Sequence, residues 1–270
     1  TNNTKNSTPA TPIKQTKKFK KRKTSKKLPP LTPSDGSPPR KKPPVKDWKR
    51  TYAMVNELRS DRTAPVDVYG SEALAERPPA VTQEVFHYQT LIALMLSSQT
   101  KDPVVGAAMK RIREGCNGAA GPNNTGFSAQ GMSTKSMEEI KEMIYGVGFH
   151  NNKAKYIYNT TEYIMNEKDG KVPNTFHGLC KLSGVGPKMA MIVMDVAFNQ
   201  CLGVSIDTHL HRMLQQLKWV KNPKNPEDTR KQLESWLPRS YWKDMNYIWV
   251  GLGQEIREEK VKLIIKAKKS

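Results

Sequence analysis

Cysteine and acid are both scarce in this chain of 270 residues. Three cysteines, Cys116, Cys180 and Cys201, make an odd number with no CxxC pair, which argues against a disulfide framework or a zinc ribbon and points to a reducing compartment. No stretch approaches the roughly 20 consecutive apolar residues that cross a bilayer, so no membrane partner is expected. The first residues lack the apolar core of a secretory signal, and their lysine and proline content fits a mitochondrial presequence poorly. Runs of alternating β-branched residues are missing, which excludes a core built on sheets. Thr1 rather than Met stands first, so the reading allows for a fragment.

Positive charge is abundant. Lys and Arg number 45 against 25 Asp and Glu, for a net +20. Residues 1 to 50 hold 16 basic residues and two Asp, leaving 29 basic and 23 acidic for the other 220. Lys14 to Lys27 reads KQTKKFKKRKTSKK, and a proline-rich stretch follows to Pro44. Such a segment buries too little apolar surface to offset its ordering entropy, so residues 1–46 read as a disordered basic tail. Its charge suits polyanions through counterion release, and Lys20-Lys21-Arg22-Lys23 suits a nuclear import receptor; the alternative is a solvated linker with no specific partner.

From Trp48 onward the apolar spacing is helical, and the fold class is all-α. Helices are expected over Glu84–Ser98, from Asp102-Pro103 to about Glu114, over Lys135–Tyr145 and Asn151–Glu167, and in a short piece from Thr175. Pro187–Asn199 is apolar on nearly every side and should be a central buried helix. Three more follow, at about Thr208–Lys218, Pro226–Trp236 and Tyr241–Gln254. Cys116 to Ser133, rich in Gly, Asn and Ser, reads as a long surface loop. No internal repeat of fixed period is present.

Leu182-Ser183-Gly184-Val185-Gly186-Pro187-Lys188 is a glycine turn opening a helix. The glycines permit a tight turn and take away side chains that would hold a phosphate off the backbone, while Pro187 suits the first helical position. Exposed amides there can bind a phosphate oxygen whatever the base sequence. Lys188, beside a helix N-terminus and partly desolvated, should expose some free amine near neutral pH, which is what Schiff-base chemistry needs; the plain alternative is a surface lysine. Nineteen residues on, Asp207 in Ile206-Asp207-Thr208-His209 is equally readable as the N-cap of the next helix or as a carboxylate assisting that amine. His209 and His211 diverge on a helix and lack a nearby Cys, so core packing or a DNA contact is expected of them rather than a metal.

With LMLSSQTKD at Leu94 to Asp102, YGVGFHNNKAKYI at Tyr145 to Ile157, LSGVGPKMA at Leu182 to Ala190, SIDTHLHR at Ser205 to Arg212 and WVGLGQ at Trp249 to Gln254, the chain resembles the endonuclease III family of helix-hairpin-helix DNA glycosylases with AP-lyase activity, most closely the eukaryotic homologues. The resemblance implies that Lys188 is the nucleophile and Asp207 the catalytic aspartate. It implies that Gln99 enters the duplex where the damaged nucleotide leaves, and that Leu182, Gly184, Val185, Gly186 and Pro187 form the hairpin that grips DNA, with His209 a further DNA contact. It implies two helical domains flanking a DNA-binding cleft: 88–204, with the helix-hairpin-helix at 175–200, and a discontinuous one from 47–87 and 205–270. The implied function is bifunctional base excision repair, in which oxidised pyrimidines are removed through a lysine Schiff base and the strand is cut by β-elimination. Double-stranded DNA with oxidised pyrimidines or abasic sites is the expected partner, of a monomer in the nucleus, with the mitochondrion a second compartment by analogy.

One departure stands out. Most members of that family hold a [4Fe–4S] cluster on four cysteines after the motif matching GLGQ, whereas Glu255 to Ser270 contain none and Arg257 stands near the first ligand position. No cluster, metal or other cofactor is therefore expected. Two alternatives keep the fold: a monofunctional glycosylase that uses water, against which Lys188 counts, and a non-catalytic DNA-binding module. An architectural chromatin protein would explain the tail but leave the body unexplained.

Overall fold

A computed structural model describes residues 41–62, 64–116 and 126–255, without the side chains of Glu72 and Glu255. Most of the tail and half of the Cys116–Ser133 segment, together with the basic C-terminus, lie outside the described residues. Among the described residues there are helices and no strands, and the all-α class holds.

The chain runs through α1 (Trp48–Leu58), α2 (Pro65–Tyr69), α3 (Ser71–Leu74), α4 (Gln83–Ser97), α5 (Asp102–Cys116), α6 (Ala129–Ser133), α7 (Met137–Met143), α8 (His150–Glu167), α9 (Phe176–Cys180), α10 (Pro187–Phe198), α11 (Thr208–Gln216) and α12 (Pro226–Glu234). Local chemistry sets most boundaries. Thr82, Ser128, Ser136, Thr175, Asp207 and Asn225 each cap a helix by accepting a backbone N–H, and Ser136 with Glu139 closes a full capping box. Asn199 in the left-handed conformation ends α10.

Two large hydrophobic cores result, with a small third cluster of Ala75, Val81, Val85 and Phe86 beside them. The first gathers α4 to α10, with α10 packed on α4 and α9, and α6 and α7 packed on α8. The second joins α1 to the segment from Val204 to Leu252. All five tryptophans of the chain lie in it. Trp48, Trp219 and Trp236 meet edge to face, the preferred contact for rings with opposed quadrupoles. The linker between the cores is fixed by side chains. Asn246 accepts from Ser205 N at 2.7 Å and donates to Asp195 of α10 at 2.9 Å, while buried Glu234 accepts from Val204 N at 2.8 Å and from Arg230 at 2.6 Å.

Two expectations change. The single helix over Tyr241–Gln254 is a composite: a 3₁₀ turn at Arg239–Tyr241, α13 (Trp242–Asp244), a π-helical stretch at Met245–Trp249, and α14 (Val250–Glu255). There the buried Arg59 guanidinium donates to Ile248 O and lies against Gly251, drawing a carbonyl out of the helical ladder. The surface loop is also shorter than expected, because Phe127 and Met132 are fully buried and Ala129–Ser133 is helix.

Candidate active site

The glycine turn sits between α9 and α10. Gly184, at φ +81°, occupies the left-handed region, and a Cβ there would fall 2.7 to 2.8 Å from the Tyr156 ring of α8. That glycine is demanded by the fold. At Gly186 a Cβ would meet nothing within 4 Å, and φ is −98°. Nothing within the protein requires a glycine there, so the space it leaves faces outward. Thr160 donates to Ser183 O at 3.0 Å and seats the turn on α8.

Leu182 and Val185 are buried, so their side chains belong to the core and only the backbone of the turn faces solvent. Val185 N is committed to Leu182 O at 3.2 Å. Beyond it, Gly186 N-caps α10 without a side-chain bond and Pro187 stands at its start. The first intrahelical bond runs from Ala190 N to Gly186 O, which leaves the amides of Lys188 and Met189 directed out of the helix end. Amides so placed at a helix N-terminus are the kind of donor that accepts an anion.

Lys188, in the first turn of α10, keeps a solvent-accessible side chain. Desolvation draws its pKa below the ordinary lysine value, and the Asp207 carboxylate opposes that shift. Asp207 Oδ1 accepts from Leu210 N at 2.7 Å, so it is an N-cap and at the same time a charge felt by Lys188. Of the two roles left open by sequence, the N-cap is the one the structure displays. His209 is exposed on α11 with its Cβ against Gly253, and His211 Nδ1 lies 2.6 Å from Thr229 Oγ1.

Gln99 stands exposed in the turn between α4 and α5, left-handed at φ 51°. Two residues not singled out by sequence lie beside it. Phe149, also left-handed at φ 58°, is 62% exposed, a large apolar side chain with no core to enter. Lys153 is buried, and its Nζ donates to Leu96 O, Ser98 O and Thr100 Oγ1 around the Gln99 turn. A signal for Lys153 existed: it lies on the same helical face as Ile157, Thr160 and Ile164, all buried. Asp102 opens α5 as its first residue, and its carboxylate accepts from Gln254 Nε2 at 2.8 Å, tying α14 to the base of the same turn.

The residues present do not fit an iron–sulfur cluster. Cys116 Sγ lies 3.4 Å from Met132 Sδ in the first core, Cys180 is buried on α9, and Cys201 Sγ lies by Gly203 O on the linker. Among the described residues no three His, Cys, Asp or Glu side chains form a group that could hold a metal ion.

A glycine turn opening a buried helix, with an exposed lysine in its first turn and an N-capping aspartate within electrostatic reach of that lysine, on an all-α frame, fits the helix-hairpin-helix glycosylase class. Residues 92–239 match the HhH-GPD superfamily of base excision DNA repair proteins. Endonuclease III-like protein 1 of Gallus gallus is 41% identical over 212 residues, 77% of this chain and 70% of that protein. The Mus musculus protein of that name is 39% identical, covering 78% and 66%, and the endonuclease III homolog of Schizosaccharomyces pombe 37%, covering 79% and 57%. The chain thus spans 57% to 70% of these relatives' lengths. Among solved structures, a trapped endonuclease III–DNA covalent intermediate overlays with a TM-score of 0.60 at 22% identity, over 76% of this chain and 84% of that one. A thermostable thymine-DNA glycosylase overlays with 0.55 at 15% identity, over 78% and 89%. At those identities the overlays establish the fold.

The chain belongs to the HhH-GPD superfamily, within its endonuclease III family. It is by that membership a DNA glycosylase of base excision repair.

Proposed function

We propose that the chain is a bifunctional DNA glycosylase and AP lyase acting on oxidised pyrimidines and abasic sites in duplex DNA. The observation that carries the reading is the placement of Lys188, an exposed amine in the first turn of α10 directly after the glycine turn, with its pKa drawn below the ordinary lysine value and Asp207 within electrostatic reach. The hairpin and the end of α10 take the backbone phosphates, and the damaged nucleotide is extruded at a cost of a few kcal/mol, least where damage has weakened stacking. Gln99 and Phe149, exposed on adjoining turns, fill the gap it leaves.

The Lys188 nitrogen then forms a bond to C1′ as the glycosidic bond breaks, and the base departs with the bonding pair and takes up a proton. Asp207 assists deprotonation of the amine and stabilises positive charge on the sugar. Ring opening gives a Schiff base. Loss of a proton from C2′ then expels the 3′ phosphate by β-elimination, with cleavage of the C3′–O bond. None of these steps is assigned to a metal or cluster, in keeping with the scattered cysteines. The basic tail suits a nuclear import receptor, and with it a nuclear location.

Duplex DNA bearing a thymine glycol tests the reading. The expected result is base release with strand cleavage, and borohydride capture of a covalent adduct. Base release without cleavage or adduct indicates a monofunctional glycosylase, and binding with neither indicates a DNA-binding module; both overturn the proposal.

A further inference from the structure

A buried ammonium is a costly way to fill space, since an apolar chain of similar length would serve a core better. Lys153 is nevertheless only 5% exposed, one turn into α8. Its Nζ reaches Leu96 O at 2.6 Å, Ser98 O at 2.6 Å and Thr100 Oγ1 at 3.0 Å, using all three ammonium protons. The carbonyls belong to the end of α4, where helical acceptors lack partners and a cation is favoured. Burial alone moves this lysine, pulling its pKa down to about 8.

The segment so held is the turn with Gln99 at its apex. Gly148 grips the same turn from the side: its N–H donates to Thr100 Oγ1 at 3.2 Å, and a Cβ on it would come within 2.4 Å of Gln99 O. Phe149 follows directly, and Lys153 N donates to Phe149 O at 3.0 Å in the first turn of α8. Gln99 and Phe149 both sit in the left-handed region, which costs a non-glycine residue about 1 kcal/mol and persists only where the surroundings over-determine it. The Lys153 ammonium and Thr100 supply those surroundings for the Gln99 turn, and Thr100 Oγ1, by accepting from Gly148 N, ties in the residue that precedes Phe149.

We propose that Lys153 is a positioning residue that locks Gln99 and Phe149 into one rigid two-toothed wedge, so that both enter the DNA stack together when a nucleotide is extruded. The inference rests on the function proposed above. It separates two kinds of substrate: an abasic site in intact duplex needs the wedge to fill the stack, whereas one facing a gap in the opposite strand does not.

Borohydride trapping on both substrates, with wild type, Lys153→Met and Thr100→Val, tests it. Wild type should trap on both. Each variant should slow on the intact duplex by about 10- to 100-fold, the usual cost of misplacing a contact, yet stay within about twofold of wild type on the gapped one. Thr100, at the rim of the knot, decides the matter if Lys153→Met does not fold. Equal losses on both substrates mean that the role is merely structural, and no loss on either means that the wedge does not need the lysine; each overturns the inference. Failure of the wild type on both substrates instead overturns the function on which it rests.

Discussion

The Asp207 carboxylate caps α11 through the Leu210 amide and also opposes the fall in the Lys188 pKa. One side chain thereby serves the fold and the electrostatics of the candidate nucleophile, and substitutions can separate the two duties.

Asp207→Asn keeps a capping oxygen, so its melting temperature should match wild type, whereas Asp207→Ala should lose about 1 kcal/mol with the cap. The pH response differs in a defined direction. Desolvation holds Lys188 below the ordinary lysine value and Asp207 raises it; removing that negative charge lets the pKa fall further. Schiff-base formation with an abasic site rises with pH as the amine loses its proton. In Asp207→Asn this rise should begin at lower pH, while release of an intact damaged base becomes much slower. Stopped-time trapping across the pH range reads both effects, and an unshifted profile would show that the two groups do not couple.

The two glycines of the hairpin should behave oppositely. Gly184→Ala puts a Cβ against Tyr156 at positive φ and should lower stability by about 1 kcal/mol or more. Gly186→Ala meets no protein atom and should leave the melting temperature nearly unchanged, yet weaken DNA binding alike for every sequence, because the methyl occupies the phosphate's approach. Thermal melts paired with binding titrations at fixed salt distinguish them.

Glu234 holds both Arg230 and the Val204 amide in the linker that leads to Asp207. Its side chain and that of Arg230 are each 3% exposed. Glu234→Ala should cost about 3 kcal/mol in urea unfolding, because it strands a buried cation and a buried N–H; Glu227 remains to moderate the loss. Glu234→Gln, which keeps an acceptor for Val204, should fall between. Equal stability of all three proteins would mean that the linker is held by Asn246 alone.

Much of this architecture was legible in the residues. Helices α4, α8 and α10 announce themselves through apolar spacing, and the string from Leu182 to Lys188, with Pro187 at the first helical position, reads directly as a turn opening a helix. The π-helical stretch was not legible, because Arg59, 189 residues from Ile248, perturbs that ladder through a tertiary contact. Helix α6 was hidden for a similar reason: five residues including Gly131 and Ser133 carry little propensity, and packing on α8 stabilises them. Lys153 escaped notice because lysines are ordinarily solvated. Nothing next to it in NNKAKY separates it from Lys155, and only the pattern of its helical face gives it away.

Mass mapping of the borohydride-trapped adduct tests the chemistry at Lys188 most directly. Wild-type protein captured on an abasic duplex, then digested, should carry the sugar remnant on the peptide containing Lys188, and Lys188→Gln should yield no adduct while still binding the DNA. A remnant on another amine, or an undiminished adduct from Lys188→Gln, would contradict the assignment.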